Sequence, residues 1–147
     1  MKAVQEGEGL LIGWHDPDEH RDWVMRNKSR EMKDKRMTAR EAVLNFIPDG
    51  SFIVSGGFGH VRVSMAVVYE IIRQRRSHLA MAGKTGVHDL DLLVGSGCVN
   101  RVEAAYAFGH EIRGLSPASR RAVESGRCRV VAETSNAGYQ WRFLAGM

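Results

Sequence analysis

A short apolar run between glycines is the feature that most restricts how this chain can fold. The run, Phe-Ile-Val at residues 52–54, lies between a turn pair at residues 49–50 and a Gly-Gly pair at residues 56–57. Such a run predicts a buried strand of a parallel sheet. Ser64 then predicts the N-cap of a helix over residues 65–76. A strand, a glycine loop and a helix start together point backbone N–H groups at an anion, so the segment predicts a phosphate or carboxylate site.

The succession of strand, loop and helix repeats along the rest of the chain. Apolar runs predict strands over residues 78–83, 101–108 and 127–132. Asp89 and Ser116 are placed to cap two of the helices that follow. Strands alternating with helices predict an α/β fold, an open and mostly parallel sheet with flanking helices and right-handed crossovers.

The loops at the carboxyl ends of the strands are the candidate site, because ligands of such sheets bind at that edge. Four loops lie there in the predicted order, at residues 56–62, 83–88, 109–114 and 133–136. No single loop is specific, so the site prediction depends on their convergence.

Histidines and cysteines give no metal signature. His60, His88 and His110 lie in the loops of the proposed edge, where three imidazoles could bind a metal or move protons, but the six histidines do not have metal-ligand spacing. Cys98 and Cys128 stand alone, which favours two reduced, partly buried thiols over a disulfide. The sequence therefore predicts no metal site.

Composition excludes several classes of protein. With 147 residues, 44% hydrophobic and 26% charged, the chain is typical of one soluble globular domain. It has no apolar run of membrane-spanning length and no apolar signal segment, so we expect no membrane association and a cytoplasmic location. The net charge of +4 comes with acidic residues interleaved among basic ones, which indicates solvated helix faces rather than a nucleic-acid-binding surface.

Residues 1–33 are predicted to be an N-terminal extension, and residues 34–147 the α/β domain. A helix from Asp16 to about Met32 carries few apolar residues, so only a narrow stripe of it would be buried. Thr38 and Glu41 then form a capping box, which starts the first helix of the domain.

The glycine segment resembles a known family of enzymes. Asp49-Gly50, the apolar triplet and Gly56-Gly57-Phe58 look like the signature of the alpha chain of family I coenzyme A transferases. That signature usually continues to a glycine and a proline, where this chain has Arg62 and Ser64. An Arg is common at that point in the glutaconate CoA-transferase branch, which Arg62 therefore favours, whereas Ser64 is a departure. The resemblance runs from about Asp34 to the last residue.

This resemblance implies a fold of the CoA-transferase type, with coenzyme A as a substrate and no cofactor. In that family a glutamate carboxylate attacks the acyl-CoA thioester, and in two-chain members that glutamate belongs to the beta subunit. The resemblance thus implies no nucleophile in this chain and a hetero-oligomer with a beta subunit, which would act on an acyl-CoA and a carboxylic acid. Alpha subunits of the branch are longer, so we expect the N-terminal part of one, or a truncated relative.

Site residues follow from the loops and the resemblance together. The glycine loop would offer N–H donors to a thioester oxygen or carboxylate, and Arg62 a bidentate clamp. Glu133 matches the Glu-x-Ser of the branch. It would orient substrate or a water, or else cap the next helix or pair with an arginine. The residues assigned to CoA and substrate binding are Gly56, Gly57, Phe58, Gly59, Arg62, Thr85, Gly86, Glu133 and Ser135.

Several functions remain open from the sequence. The leading one is an alpha subunit, or a fragment of it, of a heteromeric CoA-transferase acting on a short acid such as glutaconate or a 3-oxo acid. The second is a CoA-thioester hydrolase like the relatives that act in steroid ring degradation. The third is a non-catalytic ligand-binding module or an inactive truncated relative. CoA transfer with a partner chain would distinguish the first, and thioester hydrolysis without an acceptor acid the second.

Overall fold

The structure, a computed structural model, describes residues 16–110 and 112–145, which form six helices and six strands. The helices are α1 (Pro17–Asn27), α2 (Ala39–Phe46), α3 (Met65–Arg73), α4 (His88–Gly95), α5 (Pro117–Glu124) and α6 (Asn136–Ala145). The strands are β1 (Phe52–Val54), β2 (Leu79–Gly86), β3 (Val99–Ala107), β4 (Gly109–His110), β5 (Gly114–Leu115) and β6 (Arg129–Glu133).

The main sheet has the spatial order β1-β2-β3-β6, and every neighbouring pair of strands is parallel. Each crossover therefore moves one strand in the same direction, and right-handed crossovers of this kind place their helices on one face. On that face α3, α4 and α5 pack side by side, with α2 against α3. The prediction of an open parallel sheet with flanking helices is confirmed.

An aliphatic row crosses the sheet beneath these helices. The strand register joins Ile53 to Met81 and Met81 to Val102. Met81 and Val102 are buried, and Ile53 is partly buried against the same cluster. The buried hydrophobic cluster lies mainly on this helical face. Burial of each large aliphatic side chain in it contributes about 1.5–3 kcal/mol to stability. The helices close over the row with Val68, Ile71, Leu90, Leu93, Val94 and Ala122.

The opposite face of the sheet carries a second row, which runs from Val54 through Ala82 to Glu103. Only α6, among the described helices, packs against β2 and β3 on this face. Glu103 is completely buried, and its carboxylate is ion-paired with Arg142 of α6. The Arg142 guanidinium also lies 5.5 Å from the ring centroid of Tyr139, the buried residue of the same helix. A charged contact therefore fastens this helix to the sheet.

In the described part of the chain, β1 lies at the edge of the sheet and is not the buried strand that its apolar residues predict. Phe52 is 38% exposed and Val54 51% exposed, and Ile53 alone packs against the core. The exposure arises because β2 is the one strand that pairs with β1 within residues 16–110 and 112–145, and because α6 covers β2 and β3 instead. The prediction of a parallel strand was right, and the prediction of its burial was wrong.

Other elements differ from prediction in their limits. β2 continues through residues 83–86, which were predicted to be loop, because they keep their pairing with β3. Asp89 does not cap α4. It lies in the first turn of that helix, where its carboxylate accepts a hydrogen bond from the Leu90 N–H. Residues 109–115, also predicted to be loop, include the antiparallel pair β4–β5.

Local helix signals were more accurate, except that the Ser64 side chain forms no cap hydrogen bond at the start of α3 and this helix ends at Arg73, before the predicted residue 76. Asp16, Thr38 and Ser116 accept hydrogen bonds from the first-turn N–H groups of α1, α2 and α5, and the capping box of α2 is complete. α1 ends at Asn27, before the predicted end near Met32, and contains no buried residue. None of the described helices is both long and apolar enough to cross a lipid bilayer.

Candidate functional site

The glycine loop (residues 56–62) has a backbone that only glycine allows at one point. Gly57 has a φ of +97°, and a Cβ atom there would lie 2.6 Å from the Val61 carbonyl oxygen. The loop is also fixed to the end of β2, since the Gly59 N–H donates to the Thr85 carbonyl oxygen at 3.3 Å. The loop is therefore held against the carboxyl edge of the sheet, as the sequence predicts.

Internal hydrogen bonds limit what the loop can offer a ligand. The Phe58 N–H donates to the Val61 carbonyl oxygen at 3.0 Å, and the Gly59 N–H is taken by the bond to β2. In the described part of the chain, no acceptor is hydrogen-bonded to the N–H of Gly56 or Gly57. Of the four residues 56–59 that were predicted to donate N–H groups to a ligand, Gly56 and Gly57 are the two whose N–H groups are not already bonded within the described residues.

Arg62 occupies the left-handed region, with a φ of +57°, and its side chain is exposed. That backbone conformation costs a non-glycine residue roughly 1–2 kcal/mol, and strain of this kind recurs at functional sites. No described carboxylate forms an ion pair with Arg62. The guanidinium is therefore available to an anion.

Lys84 and Phe58 lie together at the same edge. The Lys84 ammonium is 5.5 Å from the ring centroid of Phe58, within the range of a cation–π contact. Phe58 itself is about half exposed. The pair adds a second positive charge beside the glycine loop.

A cleft of 560 Å³ opens between the glycine loop, the start of α4 and the β4–β5 hairpin. Three of the four loops predicted to converge contribute to it. The first does so through His60, the second through Val87 and His88, and the third through Gly109 and residues 112–114. Its volume lies within the range of about 300–1,000 Å³ typical of small-molecule sites. Its described lining is His60, Val87, His88, Asp91, Gly109, Ile112, Arg113, Gly114, Leu115, Ser116 and Pro117.

Two imidazoles and a carboxylate meet in this cleft. The ring centroids of His60 and His88 are 4.5 Å apart, with 48° between the ring planes. Asp91, one turn along α4 from His88, accepts a hydrogen bond from the Ser119 hydroxyl at 3.0 Å. Burial raises the pKa of Asp91, although the hydrogen bond from Ser119 and the nearby His88 act in the other direction.

The fourth predicted loop lies apart from the others. Glu133 ends β6, which is three strands away from β1, at about 4.8 Å per strand. Glu133 does not cap the next helix; Ser135 does so, because its hydroxyl accepts the Gly138 N–H at 3.0 Å. Neither Glu133 nor Ser135 is among the described residues that line the cleft.

No group of three or more His, Cys, Asp or Glu side chains is arranged to hold a metal ion within residues 16–110 and 112–145.

Sequence reasoning did not select Ile112, Arg113 or Leu115 as site residues. The glycines at 109 and 114, which enclose the turn, are the signal that could have indicated a hairpin there.

Comparison with known proteins decides the family. Residues 36–147 match the family model described as coenzyme A transferase. The chain belongs to the coenzyme A transferase family. The resemblance to alpha subunits that the glycine signature indicated is therefore confirmed.

Relatives of this CoA-transferase chain include the A chains of two named enzymes. It is 31% identical over 93 residues to the A chain of glutaconate CoA-transferase from Acidaminococcus fermentans, covering 63% of this chain and 29% of that protein. It is 33% identical over 112 residues to the A chain of 3-oxoadipate CoA-transferase from Pseudomonas knackmussii, covering 75% of this chain and 39% of the relative. An uncharacterized protein of Archaeoglobus fulgidus is 66% identical over 145 residues, 99% of this chain and 32% of its own length.

Solved structures agree with this assignment. The crystal structure of glutaconate coenzyme A-transferase from Acidaminococcus fermentans matches 74% of this chain and 34% of that one, with a TM-score of 0.66 and 28% identity. The decarboxylase AibA/AibB matches 71% of this chain and 39% of that one, with a TM-score of 0.59 and 31% identity. The CoA-transferase chain thus spans between 29% and 39% of the length of these relatives.

Proposed function

We propose that this chain supplies the alpha-subunit side of the active site in a heteromeric CoA-transferase. The enzyme would move CoA between an acyl-CoA and a short carboxylic acid such as glutaconate or a 3-oxo acid. The observation that carries the proposal is the glycine loop of a CoA-transferase-family chain, anchored at the carboxyl edge of the sheet by the hydrogen bond from Gly59 to Thr85. Two matched relatives are named as one of the subunits of such enzymes.

In this proposal the chain binds and orients, and a partner supplies the nucleophile. A glutamate carboxylate of the beta subunit would attack the thioester carbonyl and release CoA as a thiolate, which then attacks the glutamyl carbonyl and frees the first acid. The acceptor carboxylate would then attack the glutamyl thioester carbonyl and release the CoA thiolate. The thiolate would attack the acyl carbonyl of the resulting anhydride, which forms the new acyl-CoA and frees the glutamate carboxylate. The N–H groups of Gly56 and Gly57 and the guanidinium of Arg62 would stabilise negative charge on the reacting oxygen or on a carboxylate.

The second candidate function is a different reaction of an acyl-CoA on the same fold, either decarboxylation or thioester hydrolysis. AibA/AibB, a decarboxylase, matches the chain as a structure, and one fold commonly hosts several chemistries. A thioester hydrolase belongs to the same group of alternatives, with Glu133 or a cleft histidine orienting water. Each of these reactions gives a different product from the same acyl-CoA.

The deciding experiment uses the tagged chain purified from its host together with whatever copurifies. The eluate is incubated with an acyl-CoA, with and without a short acid, and the products are resolved by mass spectrometry. We expect a new acyl-CoA only when the acid is present. Free CoA without an acid would instead support a hydrolase, and a product shorter by carbon dioxide a decarboxylase. No conversion of any acyl-CoA tested, with a beta-like partner present in the eluate, would contradict the proposal.

Arg62→Ala tests the residues assigned to the site. We expect acyl-CoA to bind about tenfold more weakly, because one charge-assisted contact is lost, with no change in the thermal midpoint. Arg75→Ala is the matched control, since Arg75 is also an exposed arginine in the left-handed region but lies at the other end of the strands, after α3. Equal effects of the two substitutions on binding would remove Arg62 from the site.

A further inference from the structure

Two arginines lie side by side near the amino ends of the sheet strands, on the face that carries α6. The strand register places Arg101 of β3 directly beside Arg129 of β6, in the same row as Ala80 of β2. Neighbouring strands are about 4.8 Å apart, so both guanidinium groups can reach one small ligand. Both residues are exposed. The pair therefore concentrates two positive charges on a small area of the surface.

This arginine pair has no compensating carboxylate in the described part of the chain. None of the ion pairs there includes Arg101 or Arg129. Glu103, two positions along β3 on the same face, is buried and ion-paired with Arg142 instead. Like charges directly opposite each other on neighbouring strands are destabilising. A bound anion would remove that repulsion and would stabilise the folded chain.

Helix dipoles do not explain the arginine pair. Basic side chains often complement the partial negative charge at the C-terminal end of a helix. However, α3, α4 and α5 pack on the opposite face of the sheet. The last turns of α3, α5 and α6 also contain basic residues of their own, which are Arg73, Arg121 and Arg142. The pair on the strands is therefore not needed for this purpose.

The Arg101 side chain is held in place by the loop before β2. Its guanidinium donates to the His78 carbonyl oxygen at 3.2 Å. His78 has a φ of +57°, a left-handed conformation that costs a non-glycine residue roughly 1–2 kcal/mol. Backbone strain of this kind recurs where a ligand is clamped. The other N–H groups of the fork remain for a ligand, and a fixed side chain loses less conformational entropy on binding.

We propose that Arg101 and Arg129 bind a phosphate group, either as the free ion or as part of a phosphate ester. A phosphate dianion balances both positive charges, whereas a carboxylate balances one, and the arginine fork matches phosphate geometry. Ala80, beside Arg101, is separated along β2 from Thr85, which anchors the glycine loop, by about 16 Å at 3.3 Å per residue. The phosphate site is thus distinct from the candidate active site and does not depend on CoA transfer.

The test measures binding of inorganic phosphate and of glycerol 3-phosphate to the purified chain by titration calorimetry, with sodium chloride holding the ionic strength constant. We expect Arg101→Met and Arg129→Met each to weaken phosphate binding about tenfold, because each removes a charge-assisted contact. Arg121→Met is the matched control, since Arg121 is an exposed arginine of α5 on the other face, and wild-type affinity is expected. Tighter binding of the ester would identify a phosphate ester as the ligand, and tighter binding of inorganic phosphate the free ion; either supports the site.

Thermal unfolding gives a second readout, which separates ligand binding from a structural role. Phosphate at about ten times its dissociation constant should raise the thermal midpoint of the wild type by roughly 4 °C and leave that of Arg101→Met nearly unchanged. Arg129→Glu should abolish phosphate binding. Without phosphate, the same substitution should raise the midpoint, because opposite charges then face each other on β3 and β6.

Three results would overturn the inference. The first is that neither phosphate ligand binds, and the second is wild-type affinity in both Arg101→Met and Arg129→Met. The third is an equal rise in the thermal midpoint when chloride replaces phosphate at the same ionic strength, which would assign the effect to charge screening.

Discussion

The helical face of the main sheet buries aliphatic side chains such as Met81 and Val102, whereas the opposite face buries Glu103 against Arg142 of α6. The two rows are offset by a single residue along β2 and β3. On the first face many weak contacts add up, so that no single side chain decides whether the helices pack. On the second face a single helix, α6, buries Tyr139 and forms the ion pair with Glu103, and removal of Glu103 leaves the Arg142 guanidinium without its ionic partner.

The largest expected effect comes from breaking that ion pair. Glu103→Ala should lower the free energy of unfolding by roughly 3–5 kcal/mol, because it leaves the Arg142 guanidinium partly buried and unpaired. Urea denaturation monitored by circular dichroism would measure the change. The matched control is Glu124→Ala, whose exposed pair with Arg120 should be worth less than about 1 kcal/mol.

A double substitution sharpens the same test. Replacing Glu103 and Arg142 together by leucine should restore most of the stability, since an apolar pair of similar volume often substitutes for a buried ion pair. If Glu103→Ala and Glu124→Ala lower the free energy of unfolding by the same amount, the ion pair of Glu103 would stabilise the protein no more than an exposed pair does.

Next in size is a truncation on the helical face. Leu93→Ala should cost about 3 kcal/mol, because Leu93 is fully buried in α4 and its removal leaves a cavity. Leu92→Ala, in the adjacent position of the same helix and 38% exposed, should cost less than about 1 kcal/mol. Chemical denaturation of the two variants measures the difference. Similar losses at both positions would contradict the layered packing of α4.

The glycine loop gives a smaller effect with an adjacent control. Gly57→Ala should cost about 2 kcal/mol, since its Cβ would meet the Val61 carbonyl and its φ is positive. Gly56→Ala should be tolerated, because a Cβ there meets nothing within 4 Å. Thermal unfolding of the two variants is the measurement, and a stable Gly57→Ala protein would show that the loop is not constrained at that residue.

The smallest effect concerns a buried thiol on the helical face. Cys128 belongs to the core there, and burial raises its pKa from 9.0 to about 11. A raised folded-state pKa means that stability is complete below pH 9 and is lost as the pH rises toward 11. We expect a decrease on the order of 1–2 kcal/mol over that interval. Cys128→Ala should have a flatter pH dependence in urea denaturation, and an equally steep one would assign the decrease to other groups.

Local signals in the sequence predicted most of the fold. The capping box of Thr38 with Glu41 and the Asp16 and Ser116 caps depend on residues three or fewer positions apart, so no tertiary information is needed. The order of strands and helices followed from alternating patterns for the same reason. Cys98 and Cys128 are both buried and unpaired, as their isolation in the sequence predicted.

Features that depend on position in the sheet could not be read this way. The run at residues 52–54 is as apolar as a central strand, but its exposure is set by the absence of a second neighbouring strand among the described residues. Glu103 gave no sign of burial because its partner lies 39 residues away in Arg142. The contact between His60 and His88 likewise required the bridge between the glycine loop and β2. The assignment of all nine site residues to CoA and substrate binding, Arg62, Glu133 and Ser135 included, stays a prediction.

The strand order β1-β2-β3-β6 means that each new strand is added beside the one made just before it. A chain leaving the ribosome from its N-terminus can therefore build the sheet in the direction of synthesis, and each strand after β1 pairs with a strand that is already made. Loop-closure costs stay low, because each pairing joins segments separated by a single helix or by a hairpin and a helix. Among the described helices, α6 follows the last strand of this sheet and packs against β2 and β3, so in the order of synthesis the contact of Arg142 with Glu103 is available only after the strands have been made.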